Sequence, residues 1–406
     1  MLLDRFKLKG VAIAVISSAL LLGACDQNPN NKGAGNKGGE TQTIENPLTP
    51  DIIYASGAFA SKRFGQVRWL ADNTGFTQTE ASTTLVGGDD LVQYDPNGAN
   101  RKVLISTEQL VPTGAEKALT IKDYAWSDDG SKVLIFTNTK RVWRRETIGD
   151  YWVLDQSTGQ LTQTGQQFEA STQMFAKFSP DGSKLAYVQR DGSVHNLFVE
   201  DVATSKVTQI TKSGTDTVIN ATFDWAYEEE FGLRDGFRWS PDSSKIAYWQ
   251  LDSEGVKYFT LINNTDTLYP TLKTFPYPKV GETSSAARMG VVSAEGGATT
   301  WMQVPGDQRN NYVVFLEWAA NSDEVVIQQL NRRQNTNNLY MASAADGSVK
   351  TVLTDTDEAW LNPVRDFMWL DGGNEFLWMS EEGGMAPNVS HFPRWQNQNQ
   401  YYTGFL

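Results

Sequence analysis

Six times along the chain a polar turn separates two apolar stretches in the same order. Trp126 opens WSDDGSKVLIF, Phe178 opens FSPDGSKLAYV and Trp239 opens WSPDSSKIAYW. Trp318 opens WAANSDEVVIQ, Trp369 opens WLDGGNEFLWM, and Tyr94 opens a looser copy, YDPNGANRKVLI. In each copy an aromatic residue ends one strand and is read as pointing into the core. Asp-Gly or a similar pair makes the turn, Lys often follows at the exposed edge, and an alternating apolar strand leads back. That is a β-hairpin. The copies recur about every 50 residues, the period of a four-stranded propeller blade. Longer intervals after Phe178 and after Trp239 mark insertions, and insertions in repeat proteins often carry function. The pattern predicts an all-β fold: a β-propeller of four-stranded blades, five or six of them in this chain. A double β-sandwich is the weaker alternative, because the unit recurs too faithfully for sandwiches.

Composition agrees with this picture and narrows the partners. The chain has 406 residues, 40% hydrophobic and 11% aromatic, which is ample for a large core. Its 13 tryptophans and 34 glycines suit short strands and turns. A net charge of −13 argues against nucleic acid as a partner, since phosphate binding needs a basic face. One cysteine excludes a disulfide framework and a Cys-based zinc site, and two histidines argue against a His-rich metal site. No motif calls for a cofactor.

The N-terminus reads as an export signal. Arg5, Lys7 and Lys9 precede an apolar run from Val11 to Leu22. A short basic region followed by a short apolar one is a secretory signal, and the run falls short of the roughly 20 residues of a membrane span. It ends in Leu22-Gly23-Ala24-Cys25, which resembles the bacterial lipobox. That resemblance implies cleavage after residue 24, lipidation of Cys25, and a location on the periplasmic side of the cell envelope. Residues 25–46, rich in Asn and Gly, read as a flexible tether. Residues 47–383 read as the propeller.

The first long insertion holds FDWAYEEEFGLRDGFRWSPD, Phe223 to Asp242. Asp224 suits the cap of a short helix, and Trp225, Tyr227 and Phe231 suit its anchors. Glu228, Glu229 and Glu230 then project from one turn. Three adjacent carboxylates repel one another unless solvated or matched to a cation. As a bare charge run, they are first of all a solvated face.

Here the residues resemble a family. Asp224-Trp225, Tyr227 and Glu228-Glu229-Glu230, followed by WSPDSSKIAYW, are similar to the dipeptidyl peptidase IV family of serine peptidases. The resemblance implies an eight-bladed propeller over an α/β-hydrolase domain that releases dipeptides with Pro or Ala in second place. It implies that Glu229 and Glu230 bind the substrate's α-ammonium group. An ammonium offers three donors and one charge, which two carboxylates can meet from two sides. Crowding should raise the pKa of at least one of the carboxylates. The segment TKRVWRRETIGDYWVLD, Thr139 to Asp155, resembles the family's W-R stretch. That assigns Arg144 to the substrate's backbone carbonyl and to the Glu pair, with Arg145 as the alternative one position on. YPTLKTFPYPKVG, from Tyr269, resembles the stretch after the Glu helix. The family resemblance also implies a homodimer.

No G-x-S-x-G nucleophile motif stands in this sequence, and neither His195 nor His391 has a triad context. The expectation is a substrate-recognition propeller whose catalytic hydrolase domain is absent from the chain, with a stand-alone periplasmic binding propeller for peptides or proteins as the alternative. Residues 384–406 are expected to form no strand and no blade turn. Back-translation permits a one-base shift near codon 384 that restores blade-like sequence, so this tail reads as frameshifted.

Overall fold

The structure, a computed structural model, describes residues 48–61 and 67–380 and the backbone of 388–393 and 402–404. Residues 1–24, Cys25 and the tether lie outside the described residues. The chain divides into two compact units, Met1–Arg63 and Phe64–Leu406. Among the described residues the first unit shows one short helical turn, Asp51–Ala55. No described helix is long and apolar enough to cross a membrane.

Among the described residues of the second unit, three four-stranded antiparallel sheets span 68–105, 311–356 and 368–404, and a 13-stranded sheet between them comprises three further four-stranded antiparallel units, 123–163, 173–209 and 237–301, with one added strand, Val218–Asn220. The four-stranded units are propeller blades, and they are called I to VI here in chain order. Blades II and III are joined by the pairing of Gly149 with Gln173, and Val218–Asn220 joins blades III and IV, pairing parallel with His195 and antiparallel with Gln250 to Asp252. Blade IV carries an inserted hairpin, Tyr258–Asn263 against Thr271–Pro276.

The repeated turn has a common construction. In blade II the Ser127 hydroxyl donates to Asp129 at 2.6 Å, and Asp129 also accepts from the Ser131 amide at 3.0 Å. Ser179, Asp181 and Ser183 repeat this in blade III, and Ser240, Asp242 and Ser244 in blade IV. One carboxylate thus closes each loop by accepting from both sides. Gly130 and Gly182 occupy the left-handed position after the Asp, each at φ 67°. Ser243 takes that place in blade IV at φ 63°, and its hydroxyl accepts from the Asp181 amide of blade III at 3.0 Å.

Two details differ from the sequence expectation. The strands after the turns do not alternate between core and solvent. Val133 and Ile135 pack toward blade I, while Leu134 and Phe136 pack toward blade III. Ile246 and Tyr248 pack toward blade III, and Ala247, Trp249 and Leu251 toward blade V. Both faces of these strands are covered by neighbouring blades, so their sequences are nearly continuous apolar runs. The strand-ending tryptophans, in turn, lie between blades. Trp126 donates its indole N–H to the Thr77 hydroxyl of blade I at 3.1 Å, and Trp239 donates to the Lys177 carbonyl of blade III at 3.3 Å.

The tail also differs. Asn388–Pro393 pairs antiparallel with Glu375–Ser380, and Tyr402–Gly404 pairs with Asn388–Pro393 in turn. Strand addition is a main-chain event: an edge with unpaired N–H and C=O groups accepts a neighbour whose side chains carry no strict alternation. The absence of a side-chain pattern was therefore a poor guide here.

Candidate functional site

The insertion after blade III folds into one short helix, α1, Trp225–Phe231. Asp224 caps it: its side chain accepts from the Tyr227 amide at 2.9 Å and from the Ser285 hydroxyl at 2.6 Å. Gly232 ends it in the left-handed conformation, φ 64°. Arg365 reaches over from the loop before blade VI and donates to the Phe231 carbonyl. Tyr227 and Phe231, four apart and so on one face, are buried in the core between blades IV and V together with Phe223. Trp225 does not join that core. It stacks on Tyr277 at 4.4 Å between ring centres, just past the inserted hairpin.

Because Tyr227 and Phe231 fix the rotation of α1, the three carboxylates part company. Glu228 is buried and pairs with Arg234, Nε to Oε1 at 2.8 Å. Burial pushes its carboxyl above the usual range, with Arg234 working against the shift and Glu229 adding to it. Burial likewise pushes Asp224 up, against its bonds from Ser285 and Tyr227. Glu229 and Glu230 instead line a cavity of about 570 Å³, whose wall includes Tyr277, Lys279, Tyr312 and Gln334. Geometry relieves the expected crowding, because Glu228 turns away from the other two into the core.

Arg144 arrives from blade II. Its strands Lys132–Val142 and Arg145–Asp155 form the longest hairpin of the described blades, with Trp143 and Arg144 at the tip. Trp143, at φ 52°, packs against Phe275 of the inserted hairpin at 4.6 Å, and the Lys273 ammonium lies 3.7 Å from the Trp143 ring. This contact sets Arg144 Nε 3.4 Å from Glu229 Oε2. Arg145 begins the return strand and pairs with Val142. The segment after Tyr269 thus has two jobs. Thr271–Pro276 supports the blade II tip, and Tyr277 to Gly281 line the cavity.

Gln334 was not legible as a site residue. It sits in the hairpin turn of blade V and donates from Nε2 to Glu230 Oε1 at 3.2 Å, across 104 positions of sequence. Arg234 carried a faint signal, as the cation one turn past the helix in an acidic stretch. His195 lies in a blade III strand. Its Nδ1 is buried with no hydrogen-bond partner among the described residues, and burial lowers its pKa to about 4. It packs as a neutral side chain. His391 falls in the strand Asn388–Pro393, of which the backbone is described.

Comparison with known proteins gives a consistent answer. Residues 127–404 match the family described as the dipeptidyl peptidase IV N-terminal region. The chain is 25% identical over 378 residues to dipeptidyl peptidase 4 of Felis catus, covering 86% of this chain and 46% of that protein. It is 24% identical over 324 residues to inactive dipeptidyl peptidase 10 of Rattus norvegicus, covering 78% of this chain and 39% of the relative. The chain therefore spans less than half the length of these curated relatives. The crystal structure of Porphyromonas gingivalis dipeptidyl peptidase 4 superposes with a TM-score of 0.76 at 24% identity, covering 89% of this chain and 50% of that one, which establishes the propeller fold. With the family match extending over more than half of its residues, the chain belongs to the dipeptidyl peptidase IV N-terminal region family.

Proposed function

We propose that the cavity beside α1 reads the free amino terminus of a peptide, as the substrate-recognition part of a dipeptidyl peptidase. One observation carries this reading. Of three consecutive glutamates, one is buried against Arg234 while the next two face a common cavity. Two carboxylates held at one cavity suit an α-ammonium, which brings one positive charge and three donors. Arg144 steadies Glu229 and remains largely exposed, free to donate to a peptide carbonyl nearby. A wall at a fixed distance from the ammonium makes the enzyme count residues from the chain end. Release of Xaa-Pro or Xaa-Ala dipeptides then falls to a hydrolase domain outside these 406 residues.

The test is calorimetric titration with Ala-Pro-Ala and with its N-acetylated form. Binding of the free peptide should be lost in the Glu229→Gln, Glu230→Gln double variant, and the acetylated peptide should bind poorly throughout. Equal binding of the two peptides would refute the reading.

A second reading, peptide binding without cleavage, draws on the relative named as inactive. Appending a dipeptidyl peptidase hydrolase domain and assaying an Xaa-Pro substrate separates the two. We propose further that the chain is an exported lipoprotein held at the periplasmic side of a membrane by lipid on Cys25. Radiolabelled palmitate should enter the parent chain and fail to enter Cys25→Ser.

A further inference from the structure

We propose that Gln334 is a positioning residue that holds Glu230 in its ammonium-receiving orientation and leaves Glu230 the main seat of the ligand's charge. The inference rests on the amino-terminus reading above and adds to it a residue from another blade.

Gln334 is buried, yet its φ of 53° lies in the left-handed region. Gly or Asn are the usual occupants there, and a long side chain needs a reason. The turn itself supplies none. Its backbone bonds run from the Gln334 amide to the Asn331 carbonyl at 2.9 Å and from the Leu361 amide to the Gln334 carbonyl at 2.6 Å. The Asn331 side chain adds acceptance from the Asn335 and Thr336 amides. All of these are independent of the side chain at 334. What the glutamine adds is the bond to Glu230. Glu230 is otherwise exposed, and among the described residues no other side-chain donor to it is seen. Without Gln334 its rotamers are free.

The kind of donor matters as well. Glu229 has a guanidinium 3.4 Å away, which offsets part of its charge. Glu230 is held by a neutral amide, which orients the carboxylate without neutralising it. An arginine or lysine at 334 would occupy the seat that an incoming ammonium needs. The two glutamates are therefore unequal: Glu229 has an ion pair, and Glu230 has a neutral donor.

The experiment titrates the full chain with Ala-Pro-Ala and with N-acetyl-Ala-Pro-Ala. Gln334→Asn is the principal variant: Asn accepts positive φ, and its side chain is one carbon too short to reach Glu230. Free-peptide affinity should fall roughly three- to tenfold, the size of one hydrogen bond, with no loss of melting temperature. The acetylated peptide should be unaffected, since a general lesion would weaken both peptides alike. Gln334→Glu should cost more than Gln334→Asn, and Glu230→Gln more than Glu229→Gln. If Gln334→Asn unfolds, Gln334→Met, which keeps the length and removes the donor, gives the same comparison. Unchanged free-peptide affinity in these variants, with binding still lost in the double glutamate variant, overturns the role of Gln334 and leaves the site reading intact. No discrimination between the two peptides by the parent chain overturns both.

Discussion

The indole N–H of Trp318 donates to the carbonyl of Arg238 at 3.1 Å, tying the first strand of blade V to that of blade IV. The same bond recurs one blade on, where Trp369 donates to the carbonyl of Trp318 at 3.2 Å. An aromatic at a strand end is thus a latch between neighbours, and the repeat in the sequence records the latch more than the core. Trp318→Phe keeps a buried ring and loses the donor. It should destabilise the fold by about 1 kcal/mol, whereas Trp318→Ala should cost about 3–5 kcal/mol. Urea unfolding measures both. No loss in Trp318→Phe would mean that the ring alone matters, and equal losses would mean that the donor alone does.

Acid should loosen the turns. Hydrogen bonds from Ser127 and Ser131 hold Asp129 down at about 2, below its ordinary 3.8. Asp181 and Asp242 are also lowered, their hydroxyl and amide donors outweighing burial. A carboxylate whose folded pKa is depressed contributes stability that is fully present above the unfolded value and is lost as pH falls through the folded one. Melting temperature should therefore decline from about pH 4 toward pH 2. Asp129→Ala should start lower at neutral pH and decline less steeply over the same window. Parallel curves for parent and variant would remove Asp129 from the account.

The blades were legible because each one repeats the same local physics. Ser-x-Asp-Gly-Ser-Lys closes a loop through one carboxylate, and an apolar strand follows it, although its burial on both faces came from the neighbouring blades and was not read from the sequence. These are nearest-neighbour facts, written in contiguous residues. The helix was legible for the same reason: Asp224, Tyr227 and Phe231 sit within one short segment. The partition of the glutamates was not. It depends on which face Tyr227 and Phe231 turn inward and on Arg234 donating to Glu228. Gln334 was invisible for a different reason. A glutamine in a polar hairpin turn carries no local mark, and its partner lies in another blade. The tail misled because main-chain pairing tolerates sequences with no side-chain pattern.

The buried pair below the site gives a sharper electrostatic prediction. Removing Arg234 leaves Glu228 buried without its cation, so Arg234→Met should destabilise by about 2–4 kcal/mol at pH 7. Burial already raises the Glu228 pKa, and losing Arg234 raises it further. A carboxyl raised in the folded state binds its proton there more tightly than when unfolded, so stability falls as pH rises past the unfolded value of about 4.5. The deficit of Arg234→Met should accordingly shrink between pH 7 and pH 5. Glu228→Gln with Arg234→Met should recover part of the loss. A deficit independent of pH would mean that Arg234 acts through packing alone.

Arg144 should separate binding from stability. Its side chain is 79% exposed, and its contact with Glu229 is a single one at 3.4 Å. Surface pairs of this kind contribute about 0–1 kcal/mol, because solvent screens the charges and both side chains lose freedom. Arg144→Ala should therefore leave the unfolding midpoint nearly unchanged. Its place at the tip of a hairpin braced by Trp143 and Phe275 is costly to build for so weak a pair. The bracing makes sense if the guanidinium is held for a ligand. Free Ala-Pro-Ala should then bind several-fold more weakly to Arg144→Ala, and Arg144→Lys, which keeps the charge and loses the planar fork, should recover only part of the affinity. Trp143→Ala should weaken binding in the same direction by releasing the tip, with Arg144 itself intact. If Trp143→Ala binds as the parent does while Arg144→Ala does not, charge alone suffices and the bracing serves another purpose.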